Sequence, residues 1–512
     1  MSGAEPGTPE HWAGLRPDSP AVVDGDAVMT YGQWNDRADR VAEGLLRLGL
    51  RVGDRFGMRF QLGFEWFVVQ RALQKLGVAQ VAVNWKLTPD EVVHILRDSD
   101  SKGLACNDRV VSKWASHDVG ILLTVGQLEA NQSVRYEDLV ATADPTPRFG
   151  PLHPQMVLYT SGTTGAPRGV PPIDLPATDL GRLLRYGASV ASVPPYPEGA
   201  VVLVSLPVHH GAGQRAATTA CARGGVVVLL DPYEPAEALR LIDRHRVQVW
   251  TAVPTMLLRL QNLPSEVLDR YDLSALRALN TGAAAVPQSL KEWVIARLGD
   301  GILWETYGAS EAGMISYTRP DHHLAKPGTS GIPYDEVEIV IVDEEWNRLL
   351  PGQTGEIAVN TPVVLRRYLG GEPLGEDVVK DGFYRTGDVG HLDDDGFLFI
   401  TDRIKDMVVA GGVNINPAEI EKALVQHPAI IDAAVVGIPE PDFGEQPLAF
   451  VVADPSATLT NDDILSFLND RLAPYKLPRQ FVYVDELPIS TVGKVLKSEL
   501  RAPYWSGRDR RV

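Results

Sequence analysis

Cysteine is almost absent from this sequence. Its 512 residues include only Cys106 and Cys221, whose spacing is not that of a metal site. Two thiols do not make a disulfide framework, so a reducing compartment is the simple interpretation. Long apolar runs are missing too, since residues 201–208 and 225–230 have only the length of strands. Residues 1–11 lack the basic stretch and apolar core of a secretion signal, and we therefore expect a cytoplasmic protein without a membrane span.

Basic side chains are in deficit. The 48 Lys and Arg face 66 Asp and Glu, which gives a formal charge of −18. Nucleic-acid binding draws most of its non-specific affinity from Lys and Arg that replace phosphate counterions, so no nucleic-acid partner is expected. The chain is also longer than the size at which one hydrophobic core keeps growing, which predicts at least two domains.

The order of local patterns predicts an α/β fold. Helical patterns at residues 34–48 and 88–98 alternate with apolar segments near residues 67–83. The alternation recurs over residues 226–263, where residues 235–245 are predicted to form a helix. From about Gly331, short strands between Gly and Pro turns predict a β-rich subdomain. After Asp402 a new set of patterns predicts a small α+β domain. We therefore place an N-terminal domain of stacked α/β sheets at residues 1–403 and a C-terminal domain at residues 404–512.

The most informative segment is residues 159–169, which read Tyr-Thr-Ser-Gly-Thr-Thr-Gly-Ala-Pro-Arg-Gly. Glycine lets backbone N–H groups converge on an anion, the hydroxyl groups add donors, and Arg168 adds a fixed positive charge. A cradle for polyphosphate is the functional interpretation. A polar turn after a strand is the alternative, but it explains only two or three of these residues. The segment does not have the Walker pattern.

This segment closely resembles the phosphate loop of the AMP-forming adenylating superfamily, which contains acyl-CoA synthetases, peptide-synthetase adenylation domains and beetle luciferases. Four further stretches match the family in the same order: residues 307–311, 384–388, 402–406 with Gly411 and Gly412, and 488–494. The resemblance implies an enzyme that joins a carboxylic acid to AMP and passes the acyl group to a thiol. It also implies a large N-terminal domain and a small mobile C-terminal domain.

The resemblance assigns the nucleotide site. Glu311 would hold Mg²⁺ with a hydroxyl from Thr163 or Thr164, since a hard cation prefers oxygen ligands, although a carboxylate that starts a helix is the structural alternative. Asp388 would accept both ribose hydroxyls. Glu305 stands where many relatives carry Asn or Gln, and it could still accept from the adenine amine. The ATP and AMP contacts implied are Thr160, Ser161, Gly162, Thr163, Thr164, Gly165, Gly282, Ala283, Ala284, Glu305, Tyr307, Gly308, Ser310, Asp388 and Arg403.

The catalytic lysine of the family corresponds to Lys494. The resemblance makes it the ammonium that reaches both the substrate carboxylate and the α-phosphate, where negative charge develops on several oxygens. Arg168 replaces the commoner lysine of the phosphate loop. Lys405 corresponds to the hinge about which the C-terminal domain swings, and Gly411, Gly412 and Lys476 are the candidate contacts on the thiol side. Coenzyme A is the expected thiol, and a separate carrier protein is the alternative.

The acid site is predicted from small residues beside a histidine. The residues assigned to it are His210, Gly211, Ala212, Gly282, Gly308 and Ala309. Acetate-activating relatives carry tryptophan where Gly308 stands, so we expect a deep pocket for a bulky, mostly apolar acid. No aspartate that could pair with an amino acid's ammonium occurs between Val204 and Gly213. A nucleotide sensor is the non-enzymatic alternative, but a sensor has no need of Lys494.

Overall fold

The computed structural model describes residues 4–107, 120–126, 133–151, 155–160, 167–173, 179–284, 286–403, 406–410, 413–440, 444–469, 471–490 and 494–506. Its helices are α1 (Pro9–Leu15), α2 (Tyr31–Arg47), α3 (Phe64–Leu76), α4 (Pro89–Asp98), α5 (Tyr136–Thr142), α6 (Leu180–Ala191), α7 (Gly211–Ala222), α8 (Pro235–His245), α9 (Pro254–Gln261), α10 (Ser265–Leu268), α11 (Gln288–Leu298), α12 (His322–Ala325), α13 (Pro417–Leu424), α14 (Asn461–Asn469) and α15 (Lys497–Trp505), with a 3₁₀ turn at Pro474–Lys476.

The strands form four sheets. They are β1 (Pro20–Asp24), β2 (Ala27–Thr30), β3 (Arg55–Arg59), β4 (Ala79–Ala82), β5 (Ser101–Cys106), β6 (Ile121–Thr124), β7 (Ser133–Arg135), β8 (Met156–Thr160), β9 (Arg168–Val170), β10 (Val201–Val204), β11 (Val226–Leu229), β12 (Val249–Thr251), β13 (Ala278–Gly282), β14 (Leu303–Ala309), β15 (Gly313–Thr318), β16 (Ile332–Pro333), β17 (Glu338–Val342), β18 (Gly355–Asn360), β19 (Val379–Lys380), β20 (Phe383–Leu392), β21 (Leu398–Arg403), β22 (Val408–Ala410), β23 (Val413–Ile415), β24 (Ile430–Glu440), β25 (Gly444–Ala453) and β26 (Gln480–Tyr483).

Two large sheets build the N-terminal part. One has the order β16-β15-β14-β13-β12-β10-β11-β1-β2, and the other has the order β7-β6-β5-β3-β4-β8-β9. Both are parallel in their centres and antiparallel at an edge, as in the pairing of β8 with β9. Parallel strands bring their carboxyl ends to one edge of a sheet, and ligands of such sheets bind there. The loops that follow β8, β10 and β13 therefore begin at the edges where a site is expected.

Helices α2, α3 and α7 lie between the two sheets. Their apolar faces and the inner faces of both sheets share one core, which includes Trp34, Phe67 and Ala217. Helices α8 to α11 cover the outer face of the nine-stranded sheet, and α4 covers the outer face of the other. Layers of this kind bury parallel sheets on both faces, so the predicted α/β architecture of stacked sheets is confirmed.

Two smaller sheets follow. Strands β17 to β21 form a five-stranded sheet with its own core, which is the predicted β-rich subdomain. Strands β22 to β26 form the sheet of the C-terminal domain, with α13 and α14 on one face and α15 on the other. The predicted small α+β domain is therefore present. No helix among the described residues is long and apolar enough to cross a membrane.

A buried ion network fixes the start of the chain. Arg71 of α3 lies 2.7 Å from a carboxylate oxygen of Glu10 in α1, and Lys75 of α3 lies 2.7 Å from Asp39 in α2. Arg71 also donates to the backbone oxygens of Gly150 and Pro151, in the segment that leads to β8. All four charged side chains are at most 5 % exposed. The network therefore joins three helices to the segment that enters the strand before the phosphate-loop motif.

Candidate active site

The phosphate-loop motif connects two antiparallel strands, β8 and β9. Thr160 at the end of β8 pairs with Arg168 at the start of β9, and residues 161–166 between them lie outside the described residues. The Tyr159 hydroxyl donates to Asp98 at 2.5 Å, and Leu369 N donates to the oxygen of Gly169 at 2.7 Å. Both ends of the loop are therefore fixed to neighbouring elements. The calls that fall on the loop itself, Ser161, Gly162, Thr163, Thr164 and Gly165, stay predictions.

Arg168 and Glu311 meet at one aromatic ring. The Arg168 guanidinium lies 5.3 Å from the centre of the Tyr368 ring, and the Tyr368 hydroxyl donates to Glu311 Oε1 at 3.3 Å. Burial and the Glu311 charge raise the pKa of Tyr368, so its hydroxyl keeps its proton. The structure thus brings together the predicted phosphate cation and the predicted metal ligand. Glu311 is half-buried at the site and offers carboxylate oxygens, which are the ligands that Mg²⁺ prefers.

A strained loop follows strand β13. Ala283 has φ +64°, a left-handed conformation that is unusual for a residue with a side chain. Its neighbour Gly282 has φ +148°, and a Cβ there would lie 2.2 Å from the oxygen of Thr306. Such strain is concentrated at functional sites, because the surroundings must maintain it. In the sheet, Gly282 pairs with Thr306 of β14, next to Tyr307. The structure therefore places residues 282–284 next to Tyr307, and their use for adenine stays a prediction.

Glu305 is paired with a lysine that the sequence interpretation did not single out. It lies on β14 opposite Thr281, is 7 % exposed, and forms an ion pair with Lys291 of α11. Burial raises the pKa of Glu305, and the Lys291 charge opposes that rise. The Lys291 ammonium also donates to the oxygen of Thr329 at 3.2 Å. The sequence gives one indication of such a partner: a charged residue within a predicted buried strand requires an opposite charge. It does not indicate which residue supplies that charge.

Asp388 is held by two side chains. Tyr307 donates its hydroxyl to Oδ2 at 2.6 Å, and Arg403 lies 2.9 Å from Oδ1. The Asp388 side chain is only 8 % exposed. Each carboxylate oxygen has two lone pairs, so Asp388 keeps acceptor capacity for ribose hydroxyls although both oxygens are in use. The structure therefore groups Tyr307, Asp388 and Arg403, three residues that the resemblance assigned to the nucleotide.

The backbone of Lys494 is held by Ser490. Its N–H donates to Ser490 Oγ at 3.0 Å, and its carbonyl accepts from Ser490 N at 2.7 Å. Burial lowers the pKa of His210 to about 4, and the Lys494 charge adds to this effect, so His210 is neutral near pH 7. His210 stands immediately before α7, at the end of the segment that follows β10. The predicted catalytic lysine therefore lies within electrostatic range of the predicted acid-pocket histidine.

The small residues of the acid site play different parts. Among the described residues, a Cβ on Gly211 would meet only Leu158, at 3.8 Å, which is ordinary van der Waals contact, so a side chain has room there. A Cβ on Gly308 would instead lie 2.5 Å from the oxygen of Gly313. Glycine at 308 is therefore needed by the close pairing of β14 with β15, whatever the depth of the pocket. Ala309 is half-buried, and Ser310 is exposed beside it.

The thiol side is described only in part. Lys405, Gly411 and Gly412 lie outside the described residues. Lys476 lies 2.7 Å from both carboxylate oxygens of Glu419, which raises the pKa of Lys476. A phosphate on the thiol substrate would have to share this lysine with Glu419. Asp402, just before the predicted hinge, is buried, and its burial raises its pKa to about 6.

The chain matches a known family over most of its length. A family described as "AMP-binding enzyme" matches residues 9–369, and one described as "AMP-binding enzyme C-terminal domain" matches residues 419–494. A putative acyl–CoA ligase, YdaB of Bacillus subtilis, is 32% identical over 94% of this chain and 95% of its own length. The fatty acid–[acyl-carrier-protein] ligase ScoC of Streptomyces coeruleorubidus is 32% identical, with 97% and 95% covered. The feruloyl-CoA synthase of an Amycolatopsis species is 31% identical, with 97% and 98% covered.

Solved structures give the same result. The o-succinylbenzoate CoA synthetase MenE of Bacillus subtilis, in complex with its acyl-adenylate intermediate, has a TM-score of 0.81 and 28% identity, over 97% of this chain and 98% of its own. The same enzyme with ATP and a magnesium ion also has a TM-score of 0.81, with 29% identity, over 97% and 99%. These likenesses extend over both the large and the small part of the chain.

Proposed function

Because the chain belongs to the AMP-binding enzyme family, we propose that its own substrate is a bulky, mostly apolar carboxylic acid, bound between Lys494 and the small residues beside His210. The protein is an AMP-forming acid–thiol ligase that uses ATP, Mg²⁺ and coenzyme A. In the first step the acid's carboxylate attacks the α-phosphorus of ATP and pyrophosphate leaves. In the second step the thiol attacks the acyl carbon and AMP leaves. Because the chain belongs to a family of enzymes, the non-enzymatic alternative of a nucleotide sensor is not pursued.

The neighbourhood of Lys494 and His210 carries the proposal. His210 is neutral near pH 7, since its pKa is lowered to about 4, so the Lys494 ammonium would meet the carboxylate without a second positive charge at this position. A compact ammonium can contact the acid and the α-phosphate together while charge builds up on both. Lys494 would therefore hold the two reacting groups in line, which is the main task in phosphoryl transfer.

The opposite end of the site would hold the nucleotide. Asp388 would accept the ribose hydroxyls, and Tyr307 would cover one face of adenine beside the 282–284 loop. Arg168, stacked on Tyr368, would bind phosphate oxygens. Glu311, whose carboxylate is fixed by Tyr368, is the residue that fits Mg²⁺, and this ion supplies charge neutralisation for the phosphates when it is bound. These roles remain the proposal's own assignments.

The acid class is supported by open space and by relatives. In the part of the chain that the structure describes, only Leu158 lies within 4 Å of a Cβ added to Gly211. The similar proteins are named for ferulate, a fatty acid and o-succinylbenzoate, all larger than acetate. We propose an acid of this size range: aromatic, alicyclic, polycyclic, or with a medium to long chain. We also propose that the enzyme acts in the cytoplasm, where ATP and reduced coenzyme A are available.

One screen tests the proposal. Pyrophosphate exchange with ATP is measured for the purified protein over a panel that includes acetate, benzoate, cinnamates, cyclic acids and fatty acids, each with and without coenzyme A. We expect exchange with one or more bulky acids and, with coenzyme A, a product of the mass of the acyl-CoA. Fastest exchange with acetate would overturn the proposed acid class.

A variant of Gly211 provides the matched control. Gly211→Leu would fill the space next to Leu158, so we expect kcat/KM for the preferred bulky acid to fall about tenfold or more, with a smaller loss for short acids, because added side-chain volume collides only with a large acyl group. An equal loss for every acid would place Gly211 outside the acid site.

A carrier protein is the second candidate for the thiol. It is favoured by the similarity to ScoC, whose printed activity is ligation to an acyl carrier protein. The preferred acid is offered to the enzyme with coenzyme A or with a phosphopantetheinylated carrier protein at equal thiol concentration. Faster acyl transfer to the carrier would replace coenzyme A in the proposal and leave the adenylation step unchanged.

A further inference from the structure

Lys291 is a buried cation beside the nucleotide site. It belongs to the first turn of α11, is 2 % exposed, and donates to the backbone oxygen of Thr329 at 3.2 Å. Its ammonium is paired with Glu305, which is also buried. Burial, with a further effect of the Lys291 charge, lowers the pKa of His323 to about 4. His323 is therefore neutral near pH 7 and does not compete with Lys291 for Glu305.

Burying an ion pair on a strand is energetically unfavourable. Removing two charges from water is unfavourable, and the mutual attraction often only offsets that cost, whereas a neutral side chain would avoid it. A charged pair at this position therefore points to a role other than stability, and the nearest candidate is recognition of the nucleotide in the proposed site.

The strand register places the pair next to the adenine loop. Thr281 pairs with Glu305, and Gly282 pairs with Thr306, so Glu305 lies beside the strained segment of Gly282 and Ala283. Helix α11 begins at Gln288, directly after that segment. Lys291 approaches Glu305 Oε2 from the helix side. In the proposed site, the second oxygen, Oε1, would accept from the ligand.

The charge of Glu305 decides which base it can recognise. A carboxylate only accepts hydrogen bonds, whereas an amide or a protonated carboxyl group can also donate. Adenine carries an amino group at position 6, which donates, and guanine carries an oxygen there, which accepts. In the pose that places position 6 of the base at Glu305, an ionised Glu305 therefore attracts the adenine amino group and repels the guanine oxygen, while a neutral amide at this position can turn to suit either group.

We propose that Lys291 is a positioning residue that holds Glu305 as an oriented carboxylate and thereby selects ATP over GTP. The proposal rests on the proposed nucleotide site, in which Glu305 contacts the base. Beyond the proposed nucleotide site, it assigns a role to Lys291, which does not contact the nucleotide. It also gives a physical reason for the choice of adenine over guanine.

Three variants test the proposal: Lys291→Met, Glu305→Gln, and the two together. The readouts are the ATP-to-GTP ratio of kcat/KM in pyrophosphate exchange and the ratio of dissociation constants for the two nucleotides by calorimetry without acid. We expect each single variant to lower both ratios about tenfold or more, since a hydrogen bond to a charged group is lost. The double variant should match Glu305→Gln, because Lys291 has no effect without the carboxylate. Lys326→Met, which removes a surface ion pair with Asp393, should leave both ratios unchanged.

The outcomes separate a structural role from a selective one. A lower melting temperature for Lys291→Met with nucleotide ratios within twofold of the unmodified protein would overturn the proposal. Glu305→Gln keeps the side-chain volume and supplies the measurement if Lys291→Met does not fold. Failure of every acid to give an adenylate would refute the proposed function instead, and the calorimetric ratios would still report on Lys291.

Discussion

At the scale of single residues, Lys494 and His210 are the two side chains between which we propose that the acid binds. They are 284 positions apart in the chain, yet the Lys494 charge contributes to lowering the pKa of His210. An imidazole with a folded-state pKa of about 4 binds fewer protons than in the unfolded chain between about pH 4 and 6.5. This group therefore reduces stability as the pH falls through that window, and it contributes no such loss above it.

Lys494→Ala should lower the rate of adenylate formation at least about 100-fold, because a contact made chiefly in the transition state is lost. ATP binding should change little. Pyrophosphate exchange measures the first effect, and calorimetry measures the second. Lys422→Ala, an exposed lysine of α13, is the matched control and should keep full exchange. An active Lys494→Ala protein would refute the catalytic assignment.

Some side-chain partners could not be predicted from the sequence. The motifs identified Arg168 and Glu311 because each lies in a recognisable stretch. Tyr368, which contacts both, lies 57 residues after Glu311, and no local pattern marks it. Lys291 was missed for the same reason, since the choice of partner for Glu305 depends on where α11 packs. The chemistry of a motif residue can be predicted from the local sequence, whereas the identity of the side chain that contacts it depends on the fold.

At the scale of helices and strands, the periodic patterns predicted the helices correctly, whereas some of the predicted helix boundaries were shifted. The predicted helix at residues 235–245 is α8 without change, whereas the one at residues 34–48 begins three residues earlier. The reason is a capping box: Thr30 and Gln33 exchange hydrogen bonds and start α2 at Tyr31. Apolar residues 67–83 form a helix and a strand, α3 and β4, because Gly77 in a left-handed conformation ends the helix.

The network that joins α1 to α3 should be important for stability. Arg71→Met would leave Glu10 buried with a weaker partner and would remove the bonds to Gly150 and Pro151. We expect a loss of about 3–5 kcal/mol in the free energy of unfolding, as for other broken buried pairs. Urea unfolding followed by tryptophan fluorescence measures it.

An exposed pair provides the comparison for this measurement. Arg47 and Glu43 form a bridge along α2 in which the arginine side chain is 58 % exposed. Arg47→Met should cost at most about 1 kcal/mol, because solvent screens such a pair. Equal losses for Arg71→Met and Arg47→Met would mean that the buried network does not stabilise the fold.

At the scale of the whole molecule, the proposed catalytic lysine lies in the C-terminal part of the chain, and the other contacts proposed for ATP and acid lie in the N-terminal part. We propose that the division falls at residues 403 and 404, that Lys405 is the hinge, and that Lys494 acts from a position near His210 in the adenylation step. Thiol attack would require the C-terminal domain to move Lys494 away and bring residues 411 and 412 in. Hinge closure of this kind lets one cleft run two reactions.

Lys405→Pro should leave pyrophosphate exchange nearly unchanged and slow thioester formation about tenfold or more, because proline fixes φ at the hinge. Single-turnover transfer from a preformed adenylate measures the second step. Asp394→Pro, at the second position of the exposed turn 393–396, is the control, since proline suits that position of a turn. Unchanged thioester formation in Lys405→Pro would exclude Lys405 as the hinge.

The pairing of Glu305 with Lys291 also limits how this protein can diverge. Replacing either residue alone leaves an unpaired buried charge. A lineage that loses the pair must therefore pass through a destabilised intermediate or replace both residues nearly at once. Descendants should therefore keep the two together or lose them together. A genome that carries only one of them would identify a protein whose base preference has already begun to relax.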